Sequence, residues 1–157
     1  MEWKYFQIKE LFNVIKGKGD KQKDLQEGNI PYVSATNSNN GIETFAKNNS
    51  MHSKNAITIS DFRKAFFQQN SFSGTHIVVL VPKAEINKYS ALFICACIDK
   101  AFKNIFSFGY DCGINRVKSR QIKLPVNDAG NPDYEYMEQY IKNIEYNKMI
   151  EYMAYIA

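Results

Sequence analysis

The sequence predicts an α+β protein: a compact mixed or antiparallel β-body with a buried helix, followed by a C-terminal helix that begins a spacer or coiled-coil-like segment. Three observations carry this. Short β-branched or aromatic runs bounded by turn residues fill the first 82 positions. One apolar segment, Lys88 to Phe102, has helical spacing. From Pro132 onward the chain is amphipathic with a helical period.

Taken in order, Trp3 to Ile8 reads as a strand and Lys9 to Phe12 as a helical turn. Asn13 to Lys16 is a second strand running into a flexible basic loop, Gly17-Lys18-Gly19. Asn29 to Ala35 is a third strand, ending in the polar loop Thr36 to Gly41. The Asn40-Gly41 turn signal predicts that Ile42 to Ala46 returns antiparallel. Asn55 to Ser60 and His76 to Val81 are strands bounded by turn residues, with a shorter one at Lys64 to Gln68 between them.

In the segment Lys88 to Phe102, Leu92, Cys95 and Ala96 recur at helical spacing, with Phe93 and Cys97 on an adjoining face, which predicts a buried helix. Arg116 to Val126 reads as a basic loop and strand stopped by Pro125. Asn131 is a good N-cap, Pro132 suits the first helical position, and Asp133 and Glu135 place negative charge at the positive end of the helix dipole. The partition is one domain, residues 1–130, and a C-terminal helix, residues 131–157.

That helix has two apolar faces. Met137, Tyr140, Ile141 and Ile144 share one; Tyr146, Met149, Ile150, Met153 and Ala157 lie nearly opposite, with the switch at Asn147-Lys148. The first face is expected on the body, and the second against a helix of another copy or a partner. The alternative is a helix that bends back and buries both faces internally.

With 45% hydrophobic and 23% charged residues, the 157-residue chain suits one globular domain. Three cysteines, two of them in an apolar run, form neither a disulfide framework nor a zinc motif and point to a reducing, cytoplasmic compartment. The N-terminus has no export-signal pattern, and no run of 18 apolar residues occurs. Charge is unevenly placed: Met1 to Lys123 holds 18 Lys/Arg against 10 Asp/Glu, whereas Leu124 to Ala157 holds 2 against 6. A body at +8 favours a polyanion such as nucleic acid; scattered surface charge serving solubility alone is the competing reading.

Catalytic signatures fail on context. Asn131-Pro132-Asp133-Tyr134 is one letter from the motif with which amino-methyltransferases grip a flipped base, but Asp133 stands at the second proline and a helix follows. No glycine-rich turn for a methyl donor is present. Pro132-Asp133 lacks the Glu-x-Lys partner of a nuclease site, since Glu145 and Lys148 are out of register. His52 and His76 have no carboxylates at ligand spacing, and His76 reads as a structural or surface residue. Cys95 and Cys97 read as packed hydrophobes, and Cys112 as a loop thiol beside Asp111. Gly17-Lys18-Gly19 lacks the spacer of a phosphate loop. No catalytic, metal or cofactor site is predicted.

The order of segments carries a family resemblance. Trp3 with Lys9-Glu10-Leu11-Phe12, Ile15-Lys16-Gly17-Lys18, Ile30-Pro31-Tyr32-Val33-Ser34 and Asn39-Asn40-Gly41-Ile42 come first. Ala65-Phe66-Phe67-Gln68, His76 to Pro82, Phe106-Ser107-Phe108-Gly109, Ile122 to Val126, Gly130 to Asp133 and Met137-Glu138 follow. Together they resemble the target recognition domain of type I restriction-modification specificity subunits and related specificity proteins, over nearly the whole chain. The resemblance implies a non-catalytic domain that reads a short double-stranded DNA sequence and directs modification (methyltransferase) and restriction subunits, followed by a helix that sets the spacing between two such domains. The usual chain of that family has two recognition domains and two long helices; this one has room for one domain and the start of one helix. It departs from the pattern at Ser60 to Lys64, where many relatives carry a glycine-containing turn.

Two clusters then qualify as DNA readers. One is Thr36, Asn37, Ser38, Asn39 and Asn40, whose amides suit adenine edges and equally suit an Asn-rich turn. The other is Tyr110 with Arg116, Lys118 and Arg120, in a segment whose alternation would put all three charges on one side of a strand. Lys16, Lys18, Arg63 and Lys64 are weaker candidates. A competing function is a protein-interaction module, a specificity-domain mimic that binds modification subunits without reading DNA; a small hydrolase using Cys112 or His76 is a third class.

Overall fold

The computed structural model describes residues 1–47, 50–60, 64–105 and 113–157. The element order is β1 (Glu2–Gln7), α1 (Ile8–Leu11), β2 (Phe12–Lys16), β3 (Gln26–Val33), β4 (Ile42–Lys47), β5 (Ala56–Ser60), β6 (Ala65–Gln68), β7 (Ser73–Gly74) and β8 (Ile77–Pro82). Then come α2 (Lys88–Phe102), α3 (Ile114–Ser119), β9 (Gln121–Val126) and α4 (Tyr134–Ile156). The α+β class is the expected one. No described helix is long and apolar enough to cross a membrane.

The strands form a four-stranded sheet ordered β2-β8-β5-β6, a three-stranded sheet ordered β4-β3-β7 and a two-stranded ribbon of β1 and β9. All pairings are antiparallel except β3 with β7, where Tyr32 faces Ser73 and Val33 faces Gly74. Strand β8 pairs with β2 on one edge and β5 on the other, and its first four residues, Ile77 to Leu80, are buried on both faces. Its alternate residues enter two cores, Val78 and Leu80 with Ile57, Ile59 and α2, and Ile77 and Val79 with Val33, Ala56 and Phe72. Burial on both sides is why the strand reads as a continuous apolar run instead of an alternating one.

The β3–β4 hairpin returns antiparallel as expected, through a turn closed by Gly41 N–H donating to Ser38 O at 2.9 Å. Its central residues Asn39 and Asn40 have φ of 51° and 55°, the geometry of a type I′ turn, which Asn tolerates better than other residues with a Cβ.

Helix α2 starts in a capping box: the Asn87 side chain accepts from the Tyr89 and Ser90 N–H groups, and Ser90 Oγ accepts from the Asn87 N–H. The helix is buried, but the face differs from the expected one. Ala91, Ile94, Cys95, Ile98 and Phe102 point inward, and Leu92 and Ala96 are exposed. The segment is apolar nearly all round, so its periodicity is shallow and packing on the sheet selects the face.

Helix α4 begins two residues later than expected. Asn127 Oδ1 accepts from the Ala129 and Asn131 N–H groups, Pro132 bridges Val126, and Asp133 N–H donates to Pro125 O at 2.9 Å. Asp133 is the cap, its carboxylate accepting from the Tyr136 N–H at 2.9 Å. The turn around Asn127 consumes Asn131 and Pro132 in an extension of β9. Of the inward face, Met137 is fully buried, Ile141 packs on the core and Tyr140 meets Phe93 edge-on at 5.5 Å, whereas Ile144 is exposed. Phe93 also stacks on Trp3 at 6.0 Å, so one ring ties β1, α2 and α4 together.

Gly17 and Gly74 allow two backbone segments to touch. A Cβ on Gly74 would lie 2.2 Å from Val33 O, and one on Gly17 would lie 2.8 Å from Gly74 O. Gly74→Ala is therefore expected to lower the unfolding free energy by about 1–3 kcal/mol, the usual cost of overpacking, read from the shift in urea midpoint at unchanged m-value.

Candidate nucleic-acid interface

The loop expected to be flexible, Gly17-Lys18-Gly19, is clamped. Gly17 N–H donates to Ile77 O at 3.0 Å, and Gly74 N–H donates to Lys18 O at 2.8 Å. Lys18 N–H donates to Nε2 of His52 at 2.8 Å. His52 is buried, stacks on Phe72 at 5.0 Å and exchanges backbone hydrogen bonds with it. Gly17 N–H and both polar groups of the Lys18 backbone are met in this way, so Lys18 projects from a held support.

Two adjoining depressions open on this support. A cleft of about 690 Å³ has Lys16, Gly17, Asn115 and Arg116 on its walls, together with Thr75 and His76. A second, of about 570 Å³, is lined by Lys21, Gln22 and Lys23 and shares Thr75 and His76 with the first. The described lining holds four Lys/Arg and no carboxylate. A concave surface lined by one sign of charge focuses potential and draws a polyanion.

Of the candidates read from the sequence, Lys16 and Arg116 line this groove, and Lys18 is exposed on the clamped loop beside it. Arg116, Lys118 and Arg120 do not share one side of a strand. Arg116 and Lys118 are on α3, about 200° apart around the helix axis, and Arg120 is its C-cap. Six residues carry too little periodicity to separate helix from strand, and burial of Val117 against the core decides the matter. Lys64 is turned over the Phe66 ring at 5.6 Å. Arg63, Tyr110, Cys112 and the Ser60 to Lys64 turn, in whole or part, lie outside the described residues.

The Asn-rich loop faces elsewhere. Asn40 Nδ2 donates to Phe67 O at 3.0 Å, Gln68 Nε2 donates to Asn40 O at 2.9 Å, and Asn39 Nδ2 donates to Ile42 O at 3.2 Å. Thr36 and Ser38 bond each other through their hydroxyls. Asn40 lines a separate depression with Gln68 and Lys88. Asn39 and Asn40 thus serve the turn, and Asn37 and Ser38 are left exposed at its tip.

Sequence reasoning missed Lys21, Lys23, Thr75, His76 and Asn115. Lysines at 16, 18, 21 and 23 form a local cluster that was available as a signal. Thr75 and His76 have none, because only the tertiary fold brings their turn beside Lys16. As for the thiols, Cys95 is buried and held well above its ordinary pKa by burial, and burial pushes Cys97 up to about 11. Both pack as neutral side chains.

The fold and the groove define a class: an α+β body presenting basic loops, with the end of one helix projecting from it. Solved structures share that fold. The S subunit of a type I restriction-modification system from M. genitalium aligns at TM-score 0.63 and 18% identity over 98% of this chain and 43% of its own. A chain from a structure describing complex assembly and conformational transition of the type I system aligns at TM-score 0.68 and 13% identity, over 97% of this chain and 40% of its own.

The model of the type I restriction modification DNA specificity domain matches residues 1–152, and the chain belongs to that family. The specificity subunit S.BcgI of a type II restriction enzyme, from Heyndrickxia coagulans, is 30% identical over 158 residues, covering 96% of this chain and 45% of that subunit. The chain spans less than half the length of the relatives it matches.

Burial, and after it the charge of Lys18, holds His52 below the ordinary imidazole pKa of 6.5. The unfolded chain therefore takes up the proton first as pH falls. Stability carried by neutral His52 is complete above the unfolded value and is lost as pH falls through the lower folded one. In His52→Gln, the urea midpoint between about pH 7.5 and 5 should vary less with pH than in the wild type; identical pH profiles would show that this imidazole is not the group responsible.

Proposed function

We propose that this chain is a single target recognition domain that reads a short double-stranded DNA sequence and directs modification (methyltransferase) and restriction subunits to it in the cytoplasm. It is itself non-catalytic and uses no cofactor. The observation that carries the reading is the groove formed by Lys16, Lys21, Lys23 and Arg116 on a clamped backbone, with no carboxylate among its described lining residues, in a member of the DNA specificity domain family. The lysines and Arg116 neutralise phosphates and set the register, and polar side chains on the groove floor meet base edges. Lys18 adds charge beside the groove, and Asn37 and Ser38 are exposed on a second loop. A specificity-domain mimic that occupies the same partners without DNA would gain from an acidic surface, and the groove is basic.

The boundary between recognition body and docking helix falls at residues 130 and 131 in this reading. Beyond Lys142, α4 is exposed on all sides and continues unbroken to Ile156, without the bend that internal burial would need. Tyr146, Met149, Ile150 and Met153 are 62%, 55%, 47% and 59% exposed. Apolar side chains at this spacing suit a helix of a second copy or of a partner subunit.

Replacing Lys16, Lys21 and Lys23 together by Glu should abolish duplex binding measured by fluorescence anisotropy, and milder charge removal should reduce the salt slope by roughly one unit for each phosphate no longer neutralised. Reversal at Arg116, Lys118 and Arg120 should weaken binding less, because only Arg116 lines the cleft; binding indifferent to both sets would remove the assignment. Deleting residues 149–157 should leave a folded protein whose melting temperature is nearly unchanged, with self-association or capture of a modification subunit abolished in light scattering. An aggregated product would count against the docking role.

A further inference from the structure

The groove has a residue at its midpoint that charge does not single out. His76 lines both depressions, is exposed, and sits between Gly74, which is buried, and Ile77, the buried first residue of β8. Its φ is +57°, in the left-handed region that residues with a Cβ adopt infrequently. Such a conformation persists only where the surroundings over-determine it, and it concentrates at functional positions.

The surroundings do over-determine it. Gly74 N–H is bound to Lys18 O, and Thr75 N–H donates to Val33 O at 3.2 Å. Thr75 Oγ1 lies 2.6 Å from the hydroxyl of Tyr32, a fully buried residue whose O–H donates to Asp20 O at 3.0 Å. With the Tyr32 proton engaged there, the Thr75 hydroxyl is the donor of the pair. On the other side, Ile77 is registered opposite Ser60 of β5, and its carbonyl accepts from Gly17. The turn is held by hydrogen bonds on both sides, and the left-handed residue lines the groove.

We propose that His76 is a specificity-determining residue whose imidazole reads a base edge while the flanking lysines and Arg116 hold the phosphates. This rests on the DNA-reading role of the groove. The chemistry fits a base more closely than a phosphate. An imidazole edge is planar and carries a ring N–H donor able to reach N7 or O6 of guanine or N7 of adenine in the major groove. Rigid mounting gives such a contact its selectivity, since a base-reading group must hold its geometry closely.

The test uses the full chain. Wild type first selects its preferred duplex from a randomised pool; affinities for that duplex and for an unrelated one are then measured for wild type, His76→Gly and His76→Asn. Glycine accepts the left-handed backbone freely and Asn tolerates it, so both variants keep the turn. The expected result is a preference for the selected duplex reduced roughly tenfold or more, with affinity for the unrelated duplex and the salt slope unchanged. Repeating the selection with His76→Gly should blur the preferred sequence at one base pair. An unchanged preference, or equal weakening on both duplexes as a phosphate-binding role would give, overturns the proposal. A wild type that binds duplexes without enriching any sequence, or binds none, removes the DNA-reading role itself and this proposal with it.

Discussion

Burial of β8 on both faces is the constraint on which the rest of the structure depends. The strand is hydrogen-bonded along both edges, and it divides its side chains between two cores, with Val78 and Leu80 on the side of α2 and Ile77 and Val79 on the side of Phe72 and Val33. The first core carries α2, and through Phe93 and Met137 it carries the start of α4. The second seats the three-stranded sheet. A strand with no free face and no free edge has no alternative register, because a one-residue slip would exchange the contents of the two cores.

The groove is a by-product of that fixity. The residues leading into β8 are held by the sheet, so the turn Gly74 to His76 becomes a wall beside which Gly17 to Gly19 is tied by two backbone hydrogen bonds, to Ile77 and Gly74, and by His52. Close approach without side chains at Gly17 and Gly74 makes the seam dense. Loops are usually where a fold loses rigidity. Here the basic loop gains it from a strand whose first four residues are all buried, which makes the position of its charges a property of the core.

Much of the fold was legible in the sequence, and the exceptions share a cause. Strands β5 and β8 and helix α2 announce themselves because composition and spacing agree over their whole length, and the β3–β4 hairpin does so because Asn-Asn-Gly suits left-handed backbone. Alternation of charge from Arg116 to Arg120 suggests a strand, yet over five residues it fits either period, and the segment is helical. The buried face of α2 differs from the expected one because Leu92 and Ala96 are as apolar as Ile94 and Ala91, and nothing local separates them. At the start of α4 both Asn131 and Asp133 can cap a helix, and a turn held by Asn127 decided for the second.

For the candidate site the division is sharper. The amino-acid sequence by itself determined the class, most of the strands, the two long helices and the contrast between a basic body and an acidic amphipathic tail, which follow from residue type and short-range spacing, and the order of its segments along the chain carried the family resemblance. Only the tertiary structure decided which charges act together. Lys16 meets Arg116 and His76 across distances in sequence that no periodicity spans, while the Asn-rich turn, as plausible on paper, is engaged by Gln68 and faces a different depression. The reason is physical: a local pattern reports which side chains can be buried or exposed, whereas a groove exists only after backbone segments have closed on one another.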